Sequence, residues 1–146
     1  MTVAPGSNAR ALEKAQGLAA DLLIIDLEDA VPLDRKVEAR EAMRRAEALR
    51  DEAQRAGDQP YGAVVLHGAL IVGAAPSRVV TATDPTAHAE MEAIRDAARG
   101  LRRRDLSGCV LVSTSRPCRM CEAAAGWAGI SRMVYGEALI DAGPPR

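Results

Sequence analysis

Two short stretches hold most of the residues able to do chemistry. The first, "DPTAHAE" at positions 84–90, carries His88, one of two histidines in the 146-residue chain, with Glu90 two places on. The second, "RPCRMC" at positions 116–121, sets two of the three cysteines, Cys118 and Cys121, in C-x-x-C spacing. One imidazole with two thiolates is a zinc donor set. Three protein ligands leave a fourth position open to water, the pattern of a catalytic site, whereas structural sites are usually closed by four. Water held there ionises near neutral pH. A carboxylate beside it can take that water's proton and return it to a substrate, acting as general base and general acid in turn. The chemistry implied is hydrolysis at an amidine-like ring carbon, with release of ammonia.

Both stretches are expected to open helices. Asp84 can cap one, with Pro85 at its first position, running to about residue 99. Pro117 opens another, to about residue 129, with Cys118 and Cys121 on one face of its first turn. Thiols there meet unpaired N–H groups and the positive dipole end, which lower their pKa. Residues two apart in a helix point roughly 200° from each other, so Glu90 is expected to work on water and substrate beyond the metal. Two alternatives stay open. One is a closed structural zinc, for which Cys109 or His67 would have to be the fourth ligand. The other is thiol–disulfide chemistry at the C-x-x-C. Cys109 lies in the alternating run "GCVLVST" and reads as a small buried hydrophobe; His67 reads as an exposed turn residue.

The remaining pattern supplies the scaffold. Ser7 or Asn8 can cap a helix over "NARALEKAQGLAA", and "DLLIID" at 21–26 reads as a buried strand. A long helix is expected over about 34–55, with Leu33, Val37, Met43, Ala46, Leu49 and Ala53 as its apolar stripe. "YGAVVLHGALIVGAA" reads as a β-hairpin turning at Gly68. "CVLVST" and "RMVYG" are further strands. The order α-β-β-α-β-α-β is that of an α/β sandwich with helices on both sheet faces. The chain has no Phe, one Trp and two Tyr, so aliphatic side chains must fill its core. Its 19 basic and 20 acidic residues give a net charge of −1, without the basic stripe a nucleic-acid backbone demands. The cluster "RGLRRRD" reads as a solvated helix end. No apolar run approaches a membrane span and no leader pattern opens the chain, so a cytoplasmic, reduced protein is expected.

Taken together, "HAE" and "PCRMC" resemble the H-x-E…P-C-x-x-C signature of the cytidine deaminase-like superfamily. The resemblance covers roughly residues 42–136, including "PYGAVVLHGALIVG" and "AGWAGISRMVYG". "DPTAHAE" is most similar to the nucleoside, guanine and transfer-RNA adenosine deaminase branch. The resemblance implies a three-layer α-β-α sandwich around a mixed sheet. It also implies Zn2+ held by His88, Cys118 and Cys121, Glu90 as the catalytic proton shuttle, and a substrate base held in part by the backbone of Ala89. Ser77 stands where that branch usually carries a substrate-binding Asn, and Arg116 where a Glu is common. The activity implied is zinc-dependent hydrolytic deamination of a free nucleobase or nucleoside such as guanine, cytosine or cytidine, by a homodimer. A transfer-RNA adenosine deaminase-like enzyme and an inactive zinc-stabilised fusion scaffold are the alternatives.

The N-terminus, "APGSNARALEKAQGLAADLLIIDLEDAVPLDRKVEAR", resembles the opening of the citrate lyase β-subunit and related aldolases. The later strands of such a barrel are absent, so no lyase activity is expected. The chain reads as a fusion: residues 1–36 as an appended α-β segment and 37–146 as the deaminase-like domain. Only residues 137–146 follow "RMVYG", too few for the helix, strand and final helix that many such deaminases add. "DLLIID" is therefore expected to close the sheet edge beside "RMVYG", since an open apolar edge invites aggregation.

Overall fold

The computed structural model describes residues 2–5, 23–26 and 33–146. The chain divides into two compact units, Met1–Val37 and Glu38–Arg146. In the first, β1 (Thr2–Pro5) and β2 (Leu23–Asp26) pair in parallel, Thr2 opposite Leu23 and Pro5 opposite Asp26. The expected helix over "NARALEKAQGLAA" lies outside the described residues.

The second unit is built on a five-stranded sheet. Its strands are β3 (Gly62–His67), β4 (Leu70–Pro76), β5 (Cys109–Ser113), β6 (Arg132–Tyr135) and β7 (Ile140–Gly143), in the order β4-β3-β5-β6-β7. β5 and β6 run parallel while the other neighbours are antiparallel, so the sheet is mixed. Three helices complete the elements: α1 (Leu33–Arg55), α2 (Ala89–Leu101) and α3 (Arg119–Trp127).

Strand alternation sends side chains to two cores. Ala63 and Val65 of β3, Leu111 of β5 and Met133 of β6 pack with Ala93, Ile94 and Ala97 of α2 and Ala125 of α3. Their neighbours Val64, Leu66, Val112 and Val134 pack with Ala42, Met43, Ala46 and Leu49 of α1. The sheet is thus buried on both faces, in the three-layer arrangement expected. Small residues make this possible without Phe. A Cβ on Gly62 would lie 2.0 Å from the carbonyl oxygen of Ala46, and one on Gly73 would lie 2.4 Å from that of Ala93. α1 and α2 approach the sheet that closely from opposite sides. Within the α1 stripe, Met43, Ala46, Leu49 and Ala53 are buried, but Val37 is 67% exposed.

The sheet edge differs from expectation. β2 pairs with β1, and the edge beside β6 is taken by β7 from the C-terminal residues. Gly136 (φ +73°) and Leu139 (φ +52°) reverse the chain, closed by the Leu139 N–H donating to the Gly136 carbonyl at 2.9 Å. Arg132 then donates to Asp141 at 2.7 Å. A strand reached through so short a loop has little closure entropy to overcome, which favours local pairing over recruiting a distant segment.

Candidate zinc site and adjoining cleft

The two chemically suggestive stretches do lie at helix starts, but two to four residues later than the Pro and Asp signals imply. Asp84 caps a turn instead of a helix: its Oδ1 accepts from the backbone N–H and the hydroxyl of Thr86, each at 2.8 Å. α2 begins at Ala89, with His88 as its N-cap at φ −61°, ψ 151°. α3 begins at Arg119, with Cys118 as N-cap at φ −72°, ψ 171°. Neither cap side chain bonds the helix it precedes. Ser, Thr, Asp or Asn at this position would turn inward to the free N–H groups. An imidazole and a thiol leave those groups alone and stay free for each other.

They meet. His88 Nδ1 lies 3.7 Å from Cys118 Sγ and 3.6 Å from Cys121 Sγ. One ligand atom from each of the three residues falls within 4.8 Å of the others. Tetrahedral zinc with ordinary Zn–N and Zn–S bonds requires N···S separations of about 3.6 Å, so the donor set fits the ion in both chemistry and spacing. No fourth side chain joins it among the described residues. His67 lies exposed at the end of β3, and Cys109 is buried in β5.

Glu90, the second residue of α2, is 6% exposed. The Cys121 thiol donates to its Oε2 at 3.6 Å, so Cys121 touches both His88 and Glu90. Burial raises the Glu90 carboxyl above its ordinary range, against its own backbone N–H, the Cys121 thiol and His88. The Cys121 thiol is likewise pushed up, first by burial and then by the Glu90 charge and Cys118. Helix position alone predicts the opposite for Cys121. With the metal-free groups packed this tightly, burial outweighs the dipole, and a cation is what makes the thiolate favourable.

These groups open on a cleft of about 300 Å³. His88, Ala89, Glu90 and Cys118 form one side; Gln59, Tyr61, Ser115 and Arg116 form the other. Ser77 does not line it. Its side chain is buried, and its hydroxyl donates to Asp58 Oδ1 at 2.9 Å.

Asp58 is a residue that the sequence analysis did not single out. It is 7% exposed. Besides Ser77 it accepts from the Gln59 N–H at 2.8 Å, the Val80 N–H at 3.1 Å, and the Thr81 N–H and hydroxyl at 2.8 and 2.9 Å. Burial works against its charge, yet the Thr81, Gln59 and Ser77 donors outweigh it and hold the carboxyl far below the usual range. The loop so gathered reaches the zinc site, because the Arg78 N–H donates to the Ala87 carbonyl at 2.9 Å, one residue before His88. The polar loop "PSRVVTATD" thus gathers its donors on one buried acceptor.

Residues 36–137 match the family described as the cytidine and deoxycytidylate deaminase zinc-binding region, and the chain belongs to it. Its cofactor is zinc, with His88, Cys118 and Cys121 as the clustered donors. Guanine deaminase of Bacillus subtilis is 38% identical over 101 residues, covering 68% of this chain and 65% of that protein. A tRNA-specific adenosine deaminase of Aquifex aeolicus is 42% identical over 91 residues, 60% of each chain. The crystal structure of the Bacillus guanine deaminase superposes with a TM-score of 0.63 at 37% identity, covering 66% of this chain and 62% of that one. The N-terminal expectation is also met. Residues 1–61 match the HpcH/HpaI aldolase/citrate lyase family. A (3S)-malyl-CoA thioesterase of Cereibacter sphaeroides is 57% identical over 51 residues, 35% of this chain but 18% of that protein.

Proposed function

We propose that the chain hydrolyses the exocyclic amine of a free nucleobase or nucleoside, of the guanine, cytosine or cytidine kind, to a carbonyl and ammonia. One observation carries this reading: His88, Cys118 and Cys121 converge while Glu90, buried and held on Cys121, faces the same cleft. His88, Cys118 and Cys121 hold the zinc, which supplies Lewis acidity and a water made nucleophilic near neutral pH. Glu90 takes a proton from the attacking water, passes it to the ring nitrogen next to the reacting carbon, and then serves the leaving amine. A carboxyl raised by burial suits both roles, since it neither holds nor releases its proton too strongly.

The Ala89 backbone, at the cleft edge, helps hold the base. Ser77 acts from behind the wall, through Asp58. The three free thiols fit a reducing compartment such as the cytoplasm. A homodimer joined over α3, where Trp127 is 95% exposed, belongs to the same reading.

The test is ammonia release from guanine, cytosine, cytidine and transfer RNA by zinc-loaded protein, with Glu90→Ala as control. Release from a free base or nucleoside that falls by roughly 10²–10⁴-fold in the variant is expected. Release from transfer RNA alone assigns a nucleic-acid deaminase. A folded, zinc-loaded protein inert on all four is a scaffold.

A further inference from the structure

Ser77, expected at the substrate, is held behind the cleft wall, and the group that holds it presents another side chain to the cleft. Asp58 Oδ1 accepts from the Ser77 hydroxyl at 2.9 Å and from the Gln59 N–H at 2.8 Å. Ser77 is thereby buried, while Gln59 is exposed and lines the same cleft as Glu90. The Gln59 backbone is fixed on both sides. The Tyr61 N–H donates to the Gln59 carbonyl at 2.8 Å, and the Ser77 N–H to the Tyr61 carbonyl at 3.0 Å. Pro60 stands between them, with a fixed φ of its own and a bias toward extended backbone at Gln59. Gly62, at the start of β3, is joined to Thr114 by bonds of 3.2 and 3.0 Å. That ties the segment to the loop that carries Ser115 and leads to Cys118.

The side chain on this scaffold is unengaged. Among the described residues nothing donates to or accepts from the Gln59 carboxamide. Outside the zinc donors, it is the one side chain of the cleft with a neutral donor and acceptor on separate atoms of one plane. Arg116 can only donate, Glu90 carries the proton, and the Tyr61 and Ser115 hydroxyls each offer a single atom. A carboxamide makes two bonds at once with an edge that sets a donor next to an acceptor. Apart from the reacting amidine, which Glu90 and the attacking water occupy, guanine and free cytosine offer such an edge in their lactam, a ring N–H next to a ring carbonyl. Adenine has no carbonyl, and in cytidine the ribose replaces that hydrogen.

We propose that Gln59 is a specificity-determining residue of this cleft, its carboxamide pairing with the lactam of the substrate base, and that Asp58 holds it in place. This rests on the deaminase reading and narrows its substrate class to lactam-bearing bases: guanine, or cytosine free of its sugar. A site built to bond a polar edge rejects analogues that lack it, because its own polar group is then left unpaired.

The experiment measures kcat/KM of zinc-loaded protein for two pairs that differ in the lactam: guanine against 2-aminopurine, and cytosine against 1-methylcytosine. Wild type should favour the lactam member of a pair, and the pair turned over names the base. That preference should fall roughly 10–100-fold in Gln59→Leu and in Gln59→Ala, the worth of two neutral hydrogen bonds. A wall residue with no reading role would slow both members alike and leave their ratio unchanged, which overturns the proposal while leaving deamination intact. Calorimetric titration reads the same contact without turnover, with hypoxanthine against purine and pyrimidin-2-one against its 1-methyl derivative. Tighter binding of a lactam member to wild type, lost in both variants, supports the proposal even if no base is deaminated. Equal binding or none to wild type, with no kinetic preference, overturns it.

Discussion

Two buried carboxylates, Glu90 in the candidate cleft and Asp58 next to its Gln59 wall, are driven in opposite directions by their surroundings. Asp58 accepts five hydrogen bonds, from Gln59, Ser77, Val80 and Thr81, and stays ionised far below the ordinary range. Glu90 sits deeper among packed atoms and has only its own N–H, the Cys121 thiol and His88 to set against desolvation, so its carboxyl is raised. Desolvation and the donors facing a carboxylate together decide whether it is charged. The satisfied anion organises a loop. The corner with fewer donors is the one where Glu90 meets the His88, Cys118 and Cys121 cluster.

The largest expected effect comes from breaking the second corner. His88→Ala or Cys121→Ala should abolish zinc, read by elemental analysis, and with it all ammonia release. The same proteins should lose the rise in melting temperature that zinc gives wild type. Retained stoichiometric zinc in either variant would refute the assignment. Next is Glu90→Gln, which keeps shape but cannot carry the proton: activity should drop roughly 10²–10⁴-fold with zinc content unchanged.

Smaller effects belong to the first corner. Asp58→Ala leaves buried donors without an acceptor and should lower unfolding stability by about 1–3 kcal/mol in denaturant titration. KM should rise more than kcat falls, because Gln59 and the loop carrying Ser77 shift while the ligands remain. Smallest, and confined to acid, is the pH signature. The folded pKa of Asp58 lies below its unfolded value, so its contribution is complete above roughly pH 4 and is lost as pH falls through the folded value. The stability gap between wild type and Asp58→Asn should therefore close on acidification. A gap that widened would mean the carboxylate is not the favoured form.

Much of this was legible in residue pattern. The apolar runs "AVVL" and "VLVS" mark strands, and these became β3 and β5, each buried on both faces. The pairing of "HAE" with "PCRMC" marks a donor set whose members do come together. Helix starts were misplaced because Asp84 and Pro85 carry the ordinary capping signal yet close a turn, while His88 and Cys118, poor caps by composition, begin the helices. Both residues instead belong to the candidate donor cluster. Asp58 was invisible because its five donors come from residues up to 23 positions away. Likewise β7 follows from a reversal at Gly136 and Leu139, where no strand pattern announces it.

By itself, then, the amino-acid order determined what could bind: which side chains offer nitrogen and sulfur, at spacings set by the local geometry of one turn. It also determined the sheet's two-sided burial, because alternation is a property of the strand alone. Tertiary structure decided everything that depends on distance through space. It brought positions 88 and 121 within 3.6 Å, gave Asp58 its donors and Glu90 almost none, and set Gln59 in one cleft with Glu90. Charge state and cleft shape are sums over neighbours, and the neighbours exist only once the chain has packed.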